Sequence, residues 1–320
     1  MKAVVFERAG NPDEVLRVAE IPSPQIGDGH VLVKIDARPV QPADLFFIRG
    51  QYRIKPRFVQ VAGLEGAGVV LDSGQSTIRA GTRVAFRWPG TWAELAAISA
   101  ERLIRIPDEV PNTVACQISL NPVTAWALLD EARVSPGDWI VMTAGASTVS
   151  RLVAAIARQR GVHVIGVVRG SPEEAARRSP ADLVLSVQDS DLIERISQAA
   201  GDNKVAALLD SVGGPLIARL FSALRPGARI VAYGTQEREP AQVTNAMLVY
   251  SNLTWMGFGI DRWLAALESH RYAEMLEGLW SMIRLGTLKL PVHSIHPLEH
   301  FKDALVADAG ANRDGKVLIA

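Results

Sequence analysis

The sequence predicts an α/β protein with two domains, one rich in β-strands and one built on a doubly wound parallel sheet. At 320 residues the chain is too long for one ordinary hydrophobic core. Its first 120 residues carry short apolar runs separated by turns rich in Pro and Gly, such as IPSPQIGDG, RWPG and IPDEVP. From Asn121 onward, apolar runs of strand length alternate with helical segments, which is the pattern of a parallel sheet covered by helices.

The β-rich domain is predicted to be barrel-like and to contain both ends of the chain. Its expected strands are 3–6, 31–35, 68–71, 83–86 and 103–106. Short strands at 292–296 and 316–319 are expected to return to this domain after an amphipathic segment over 270–285. The predicted domain therefore comprises residues 1–120 and 266–320.

The parallel-sheet domain is predicted over residues 121–265. Its expected strands are 139–144, 163–168, 183–186, 205–209, 228–233 and 253–259. Helical segments separate these strands, and parallel strands need such crossover connections. We therefore predict a doubly wound sheet of six strands.

Composition and charge argue against several classes of function. Lys+Arg and Asp+Glu are both 34, so the chain has no net charge to attract nucleic acid or an anionic membrane. The single cysteine, Cys116, excludes an intramolecular disulfide and a structural zinc site made of several thiolates. The N-terminal run MKAVVF is interrupted by Glu7 and Arg8, unlike a signal peptide, and no apolar stretch is long enough to span a bilayer. We expect a cytoplasmic protein that binds neither nucleic acid nor membranes.

Residues 139–169, WIVMTAGASTVSRLVAAIARQRGVHVIGVVR, have the strand–turn–helix–strand order of a dinucleotide-binding unit. Glycines in such a turn allow close approach of a pyrophosphate, which the helix N-terminus attracts. Gly145 is present, but Ser147, Thr148 and Ser150 stand where further glycines are expected. Their hydroxyls can hydrogen-bond phosphate. The alternative is a sheet that binds nothing at this turn.

Arg169 suggests which cofactor binds. It lies 24 positions after Gly145, at the end of the second predicted strand, where an NAD enzyme has an acidic residue. An arginine there can neutralise the 2′-phosphate of NADP. The alternative is a solvated arginine at a strand end. The sequence therefore favours NADPH over NADH.

Over nearly its whole length the chain resembles the medium-chain dehydrogenase/reductase superfamily. The resemblance rests on IPSPQIGDGHVLVKIDARPVQPADL, GLEGAGVV, GDWIVMTAGAS, DSVGG (210–214) and the closing GKVLIA. It implies a GroES-like catalytic domain and a Rossmann domain. Zinc alcohol dehydrogenases of this superfamily use a Cys and a Gly-His-Glu triplet, where this chain has Pro39-Val40-Gln41 and Gly63-Leu64-Glu65. We therefore expect no metal.

Two zinc-free branches remain, the quinone oxidoreductases and the mitochondrial-type 2-enoyl thioester reductases. IRGQY (48–52), GTWAEL (90–95), NPVTAW (121–126), VVR (167–169) and NLTWMGFGIDRW (252–263) are more similar to the second branch. Both branches commonly have Asn-Pro-x-Asp where this chain has Gln41-Pro42-Ala43-Asp44, so the amide lies one methylene further out. Trp92 and Trp126 are either walls of an apolar substrate pocket or core residues.

The resemblance also implies roles for individual residues. Tyr52 would donate a proton to the substrate or bind its carbonyl, with Gln41 and Asn121 as further catalytic residues; Asn121 before Pro122 also has the form of a helix cap. The implied cofactor-binding residues are Thr124, Gly145, Ala146, Ser147, Thr148, Val149, Arg169, Gly213, Tyr233, Gly234, Phe258 and Lys316.

The predicted function is NADPH-dependent hydride transfer to an activated C=C bond, with a 2-enoyl thioester as the favoured substrate. The alternatives are an NADPH:quinone oxidoreductase and a non-enzymatic NADPH-binding protein. The thioester would be carried by CoA or an acyl carrier protein, and Arg49, Arg53, Lys55 and Arg57 form a candidate basic approach to Tyr52. The strand near 253–259 would pair two copies into a homodimer.

Overall fold

The computed structural model describes residues 1–310 and 313–320 and divides the chain into two units. The first unit comprises residues 1–120 and 289–320, and the second comprises residues 121–288. The α/β architecture predicted from the sequence is confirmed, with a strand-rich first unit and a parallel sheet in the second.

The first unit contains ten strands and four α-helices among its described residues. The strands are β1 (Lys2–Phe6), β2 (Arg17–Glu20), β3 (His30–Pro39), β4 (Gln60–Val61), β5 (Glu65–Asp72), β6 (Arg83–Arg87), β7 (Leu95–Ser99), β8 (Leu103–Arg105), β15 (Val292–His296) and β16 (Lys316–Ile319). The helices are α1 (Pro12–Val15), α2 (Pro42–Ile48), α3 (Asn112–Ala115) and α12 (Phe301–Ala309).

Two sheets organise this unit. One has the order β2-β1-β4, and the other has the order β15-β16-β3-β5-β6-β8, with β7 also paired to β3. Alternate residues of β3 point inward, so Val31, Val33 and Ile35 are buried with Phe86 and Ile98 in one core cluster. A second cluster includes Phe6, Phe47 and Trp92 and is completed by residues of α12 and β16.

The second unit contains six strands and eight helices among its described residues. The strands are β9 (Trp139–Thr143), β10 (His163–Val168), β11 (Leu183–Ser186), β12 (Val205–Asp210), β13 (Leu224–Ala232) and β14 (Thr254–Gly257). The helices are α4 (Asn121–Ala132), α5 (Thr148–Gln159), α6 (Pro172–Ala176), α7 (Leu192–Ala200), α8 (Pro215–Leu220), α9 (Asn245–Val249), α10 (Ile260–Ala266) and α11 (Ser269–Arg284).

The six strands form one parallel sheet in the order β11-β10-β9-β12-β13-β14. Counted along this unit the order is 3-2-1-4-5-6, which is the doubly wound arrangement of dinucleotide-binding folds. Strands β9, β10 and β12 are almost wholly buried, as expected for parallel strands covered on both faces. The strand order reverses between β9 and β12, and a ligand crevice is expected at their carboxyl ends.

The second domain boundary lies at 288/289, whereas the sequence pattern placed it at 265/266. The difference arises because α11 packs on α4 within the second unit. Gly278 on α11 faces Trp126 on α4 so closely that a Cβ atom there would lie 2.8 Å from the indole ring. The predicted assignment of residues 266–288 to the first domain is thereby corrected.

Strands β2 and β7 were not anticipated from the sequence. β2 lies at the edge of its sheet, beside β1, and β7 is the small-residue run LAAIS that pairs with β3. Neither run has the alternation of large apolar and polar residues that identifies a half-buried strand. Among the described helices, none is long and apolar enough to cross a membrane.

Candidate active site

The predicted dinucleotide turn joins β9 to α5. Ala144 follows β9 with a positive φ of 49°, which is uncommon outside glycine. Ser147 then caps α5, because its hydroxyl accepts a hydrogen bond from the backbone N–H of Ser150 at 3.2 Å. The Ser150 hydroxyl donates to the carbonyl of Ala144 at 2.9 Å. Hydroxyls therefore stabilise the turn where glycines were expected.

Gly145 remains a glycine because it lies against the backbone of β10. A Cβ atom at Gly145 would be 2.6 Å from the Cα atom of Gly166, a distance that real Cβ atoms do not reach. Gly145 itself is buried, while the neighbouring Ala146 is exposed and Ser147, Thr148 and Val149 are half-buried. The glycine allows close packing of turn and strand, and the next residues stay accessible at the start of α5.

A buried polar network connects the carboxyl ends of β9 and β12. The Thr143 hydroxyl donates to the carboxylate of Asp210 at 2.6 Å and accepts from the backbone N–H of Ser211 at 2.9 Å. The Asp210 carboxylate also accepts from the backbone N–H groups of Val212 and Gly213. Asp210 thus holds the DSVGG turn, in which Gly213 has a φ of 85°.

Tyr233 and Gly234 follow β13 and pack on the same turn. The backbone N–H of Tyr233 donates to the Asp210 carbonyl at 2.7 Å, and a Cβ atom at Gly234 would lie 2.5 Å from the Ser211 carbonyl oxygen. Burial raises the pKa of Tyr233, and nearby Ser211, Ser150 and Ser147 oppose that rise. The phenol oxygen of Tyr233 and the hydroxyl of Ser211 are both buried and lie near each other, and neither makes a hydrogen bond of good geometry with a described residue.

These unsatisfied groups fit a bound dinucleotide. Buried polar atoms normally have partners, and two orphaned hydroxyls beside a helix N-terminus leave hydrogen bonds for a phosphate-bearing ligand. Three predicted cofactor residues, Gly145, Ser147 and Tyr233, are brought together there. The hydroxyl groups are uncharged, and the N-terminus of α5 carries a partial positive charge, which favours the binding of a pyrophosphate.

Arg169 is the first residue after β10 and is exposed. Glu237, in the loop after β13, is an acidic neighbour that sequence reasoning missed. The backbone N–H groups of Arg238 and Glu239 lower the pKa of Glu237, and the Arg169 guanidinium lowers it further. The stem of Glu237 lies against Gly214, where a Cβ atom would be 2.5 Å from its Cγ atom.

The remaining predicted residues of the second unit occupy accessible positions. Asn121 is the first residue of α4, and both it and Thr124 are half-buried. Phe258 follows the end of β14, and its backbone N–H donates to the Ala232 carbonyl at 2.7 Å. That N–H is therefore already hydrogen-bonded to the neighbouring strand at the edge of the sheet. Trp126, a possible pocket wall, packs against Gly278, and the Arg160 guanidinium carbon lies over its ring at 4.5 Å from the ring centroid.

In the first unit, Tyr52 lies four residues after α2. Its backbone N–H donates to the Phe46 carbonyl at 3.1 Å, and its ring packs partly on the core cluster that contains Phe47. The Arg53 guanidinium lies over the phenol ring, 5.3 Å from its centroid. Arg87, on β6, is a further neighbour: burial lowers its pKa, Arg53 lowers it further, and Tyr52 opposes these effects.

Gln41 is buried, with 3% of its surface exposed. It caps α2 in a reciprocal capping box with Asp44, whose carboxylate accepts from the Gln41 backbone N–H at 2.9 Å. The Gln41 side-chain amide donates to the carboxylate of Glu65. Glu65 also accepts from the Ser119 hydroxyl and the Leu120 backbone N–H, both at 2.8 Å. The structure therefore places Gln41 in a buried network.

Two carboxyl groups of this network have raised pKa values. Burial raises the pKa of Asp44 to about 8 and that of Glu65 to about 7. Lys316, a predicted cofactor residue, is buried on β16, and its ammonium group opposes both shifts. Lys316 thus lies with the carboxyl cluster of the first unit. We name Gln41, Asp44, Glu65, Ser119 and Lys316 the carboxyl cluster.

The two regions where zinc alcohol dehydrogenases have a Cys and a His carry no ligand typical of zinc in this chain, because Gln41 offers an amide and Leu64 an aliphatic chain. No group of three or more His, Cys, Asp or Glu side chains that could hold a metal ion occurs in residues 1–310 and 313–320. Trp92, the other possible pocket wall, is fully buried in the core.

Sequence reasoning missed the residues that support the predicted ones. Thr143 and Asp210 end adjacent buried strands, and a hydroxyl and a carboxylate at such positions are a usable signal once the strand order is known. The sequence offers no comparable signal for Arg87, at the end of β6, or for Glu237, in the loop after β13. Their neighbours are remote in sequence and are brought close only by the fold.

Comparison with known proteins identifies the class. Residues 27–108 match the family model "Alcohol dehydrogenase GroES-like domain", and residues 148–280 match "Zinc-binding dehydrogenase". The chain is 31% identical over 317 residues to a mitochondrial enoyl-[acyl-carrier-protein] reductase of Xenopus tropicalis, covering 95% of this chain and 91% of that one.

Solved structures agree with these matches. A protein described as an NADPH:quinone reductase of Bacillus thuringiensis has a TM-score of 0.91 at 26% identity and covers 100% of this chain and 98% of its own. A mycobacterial protein solved with NADPH has a TM-score of 0.87 at 25% identity, covering 100% of this chain and 99% of its own.

The fold and the matches together define an NADPH-dependent oxidoreductase with a GroES-like unit and a Rossmann unit. The chain belongs to the medium-chain dehydrogenase/reductase family, in its zinc-independent part. The predictions of family, fold class, enzyme class and NADPH as cofactor are confirmed, and the non-enzymatic alternative is set aside.

Proposed function

We propose that this NADPH-dependent reductase acts on the C=C bond of 2-enoyl thioesters. The observation that carries the proposal is Tyr52, a half-buried tyrosine whose backbone N–H donates to the Phe46 carbonyl and whose ring centroid lies 5.3 Å from the Arg53 guanidinium carbon. Reduction of an enoyl thioester needs both a proton for Cα and a partner for the negative charge that develops on the carbonyl oxygen. The relative from Xenopus tropicalis, named for enoyl-acyl-carrier-protein reduction, supports the same substrate class.

The second unit supplies the residues that would hold NADPH, which provides a hydride when bound. The N-terminus of α5, with Ser147, Thr148 and Val149, would bind the pyrophosphate. Arg169 would pair with the 2′-phosphate, and the hydroxyls of Tyr233 and Ser211 would lose their unsatisfied state. Asn121, Thr124, Gly213 and Phe258 remain predicted contacts of the nicotinamide end.

Tyr52 is the proposed proton donor. A phenol O–H can donate a hydrogen bond or a proton, so its chemistry suits this role. The guanidinium groups of Arg53 and Arg87 add positive potential beside it, which favours an enolate-like oxygen over the neutral carbonyl. In this proposal Gln41 is a positioning residue, because its capping box starts the helix that leads to Tyr52.

Quinone reduction is the second candidate function. It is favoured by the close fold similarity to the Bacillus thuringiensis protein. A quinone can take its protons from solvent after reduction, so this reaction depends less on a positioned acid. The two functions therefore predict different sensitivity to the Tyr52 hydroxyl.

The test is Tyr52→Phe, assayed with NADPH on crotonyl-CoA and on a simple quinone. Removing one general acid or oxyanion partner typically costs about 10²–10³ in rate. We expect kcat on crotonyl-CoA to fall by about that factor, with NADPH affinity unchanged and quinone reduction much less affected. Tyr250→Phe is the matched control, because Tyr250 is 88% exposed and lies outside the proposed site. Equal rates of wild type and Tyr52→Phe on crotonyl-CoA would overturn the proposal.

A homodimer through β14 is the proposed assembly. β14 is the last strand of its sheet and, within residues 1–310 and 313–320, pairs only with β13; Thr254, Trp255 and Gly257 are exposed. An open edge with apolar side chains favours pairing with another strand, and a second copy offers the same edge.

A further inference from the structure

Arg87 is a half-buried arginine with charged residues on both sides of it in the sheet. It is the last residue of β6 and the register partner of Glu65, the first residue of β5. Directly opposite residues of an antiparallel pair carry their side chains on the same face of a sheet. On the other side of β6, Phe86 pairs with Leu103, so Arg102 lies beside Arg87. Arg87 therefore has a buried carboxyl group on one side and a second arginine on the other.

The charge around Arg87 is mainly positive. Burial lowers the pKa of Arg87, and the guanidinium groups of Arg53 and Arg102 lower it further. Tyr52 and Glu65 oppose these effects, so the phenol and the carboxyl group are neighbours of the same guanidinium. A guanidinium stays charged in proteins, so three cations are grouped at this place in the first unit.

The carboxyl cluster offsets only part of this charge. The Glu65 carboxylate already accepts hydrogen bonds from a side-chain amide, a hydroxyl and a backbone N–H. Burial raises the pKa of Glu65 to about 7, so near neutral pH this group is ionised only in part. Lys316 adds a buried ammonium group to the same cluster. The region around Arg87 therefore keeps an excess of positive charge.

This excess has a consequence for any ligand that reaches Arg87. A ligand that displaces water from a half-buried cation destabilises it unless the ligand supplies a negative or polar group. An apolar acyl chain packed on Arg87 would desolvate the guanidinium without compensation. A carboxylate would instead accept charge-assisted hydrogen bonds from the planar guanidinium, two at once in the favoured geometry. The chemistry of Arg87 therefore suits an acidic acyl chain better than a hydrocarbon chain.

We propose that Arg87 is a specificity-determining residue that binds a carboxylate on the acyl chain, so that the favoured substrates are 2-enoyl thioesters with an acidic acyl group. This inference rests on the proposed function, because the carboxylate would be bound beside the Tyr52 phenol. The four cations predicted over residues 49–57 are all exposed, whereas Arg87 is half-buried. Phosphates of a carrier fit the exposed cations, and a charge attached to the reacting acyl chain fits the half-buried one.

The test uses pantetheine thioesters, which contain no phosphate. The acyl groups are crotonyl, glutaconyl, which ends in a carboxylate, and the glutaconyl carboxamide, which is its uncharged isostere. We expect the wild-type KM for the glutaconyl thioester to be about ten- to a hundredfold below that for the carboxamide, the range of a hydrogen bond between charged groups. The carboxylate is charged before the reaction begins, so its recognition changes KM. A contact made only with the charge that develops on the thioester oxygen would change kcat for all three substrates alike.

Two variants assign the preference to Arg87. Arg87→Met removes the charge and keeps an unbranched side chain, and we expect the two KM values to become similar, whatever common change occurs in kcat. Arg87→Lys keeps the charge without the planar fork and should retain a smaller preference for the glutaconyl thioester. Arg79→Met, at an exposed position outside this group, is the control and should leave the preference intact. Thermal unfolding of each variant verifies that it is folded.

The wild-type comparison decides the proposal without reliance on any variant. Equal KM values for the glutaconyl thioester and its carboxamide would overturn it, and so would a preference that Arg87→Met retains in full. If wild type reduces crotonyl pantetheine and shows no such preference, the acidic specificity alone is refuted. If wild type reduces a quinone and none of the three thioesters, the proposed function itself fails.

Discussion

Gly145 and Gly166 lie backbone against backbone, at the point where the dinucleotide turn crosses β10. A Cβ atom at Gly145 would come within 2.6 Å of the Gly166 Cα atom and 2.8 Å of the Val167 nitrogen. The neighbouring contacts are backbone atoms of a buried strand, which cannot move aside as a flexible side chain would. Gly145 is therefore required by packing, since its φ is not in the left-handed region.

Gly145→Ala should destabilise the protein and weaken NADPH binding. Overpacking a rigid interior typically costs about 1–3 kcal/mol, and the displaced turn would move the N-terminus of α5. Thermal unfolding and fluorescence titration with NADPH measure the two effects. Gly170→Ala is the matched control, because no atom lies within 4 Å of a Cβ there. If both variants behave alike, the packing explanation does not hold.

Arg169→Asp should weaken NADPH binding by about ten- to a hundredfold, because a hydrogen bond between charged groups contributes roughly 1.5–3 kcal/mol. NADH lacks the 2′-phosphate, so its Kd should stay the same or decrease. Titration with NADPH and with NADH measures the two Kd values. Arg271→Asp, at an exposed position on α11, is the control. Unchanged NADPH affinity would show that another residue binds the phosphate.

Glu237→Gln should act in the opposite direction. The Arg169 guanidinium lies close enough to the Glu237 carboxylate to lower its pKa, so we expect this carboxylate to compete with a phosphate for the same guanidinium. Neutralising it should tighten NADPH binding by about two- to fivefold, the size of an exposed charge interaction, and leave NADH unaffected. Isothermal titration at low salt is the measurement. A parallel change for both nucleotides would point to a disturbed loop instead of a lost charge.

The carboxyl cluster predicts how stability depends on pH. Burial holds the pKa of Glu65 at about 7 and that of Asp44 at about 8, above the values of the unfolded chain. The folded protein therefore binds these protons more tightly, and the resulting stabilisation is full below about pH 4 and lost as pH rises through about 7–8.

We expect the free energy of unfolding, measured with urea, to fall between about pH 5 and about pH 9 by an amount on the order of a few kcal/mol. Glu65→Gln should flatten this slope, whereas Glu101→Gln, at an exposed position, should not. Lys316 moderates the effect, since its ammonium group favours both carboxylates. A stability that rises over this range would contradict the assignment.

Thr254→Lys tests the proposed dimer. A lysine on an edge strand opposes pairing with a second copy by placing like charges side by side. We expect light scattering to show a shift from dimer to monomer in the variant, at a protein concentration where wild type is dimeric. A monomeric wild type, or a variant that stays dimeric, would remove β14 as the interface.

Regular elements with strong apolar patterns could be predicted closely. β10 and β11 have the predicted bounds, because each is a continuous apolar run ended by a polar residue. β3 is twice its predicted length, since its second half is stabilised by pairing with β5 and β16, partners that are remote in sequence. The local pattern of apolar residues predicts which segments are buried, whereas the length of a strand also depends on the strands that pair with it.

The residues of the candidate site likewise include some that could be predicted from the sequence and some that could not. Gly145 and Arg169 could be found from spacing within one βαβ unit. The contact of Gln41 with Glu65, and that of Thr143 with Asp210, join residues 24 and 67 positions apart. Such pairs follow from sheet order and from helix capping, and neither is visible in a single linear pattern.

The position of β16 has a consequence for biosynthesis. β16 lies between β15 and β3, and Arg38 at the end of β3 donates a buried hydrogen bond to the Ile319 carbonyl at 3.1 Å. Residues 1–120 leave the ribosome first, yet their larger sheet lacks two strands until the closing residues have been translated. Residues 121–288 contain all six strands of their own sheet. Vectorial synthesis therefore allows the second unit to fold before the first, because β3 has no β16 to pair with until residues 316–319 have been translated.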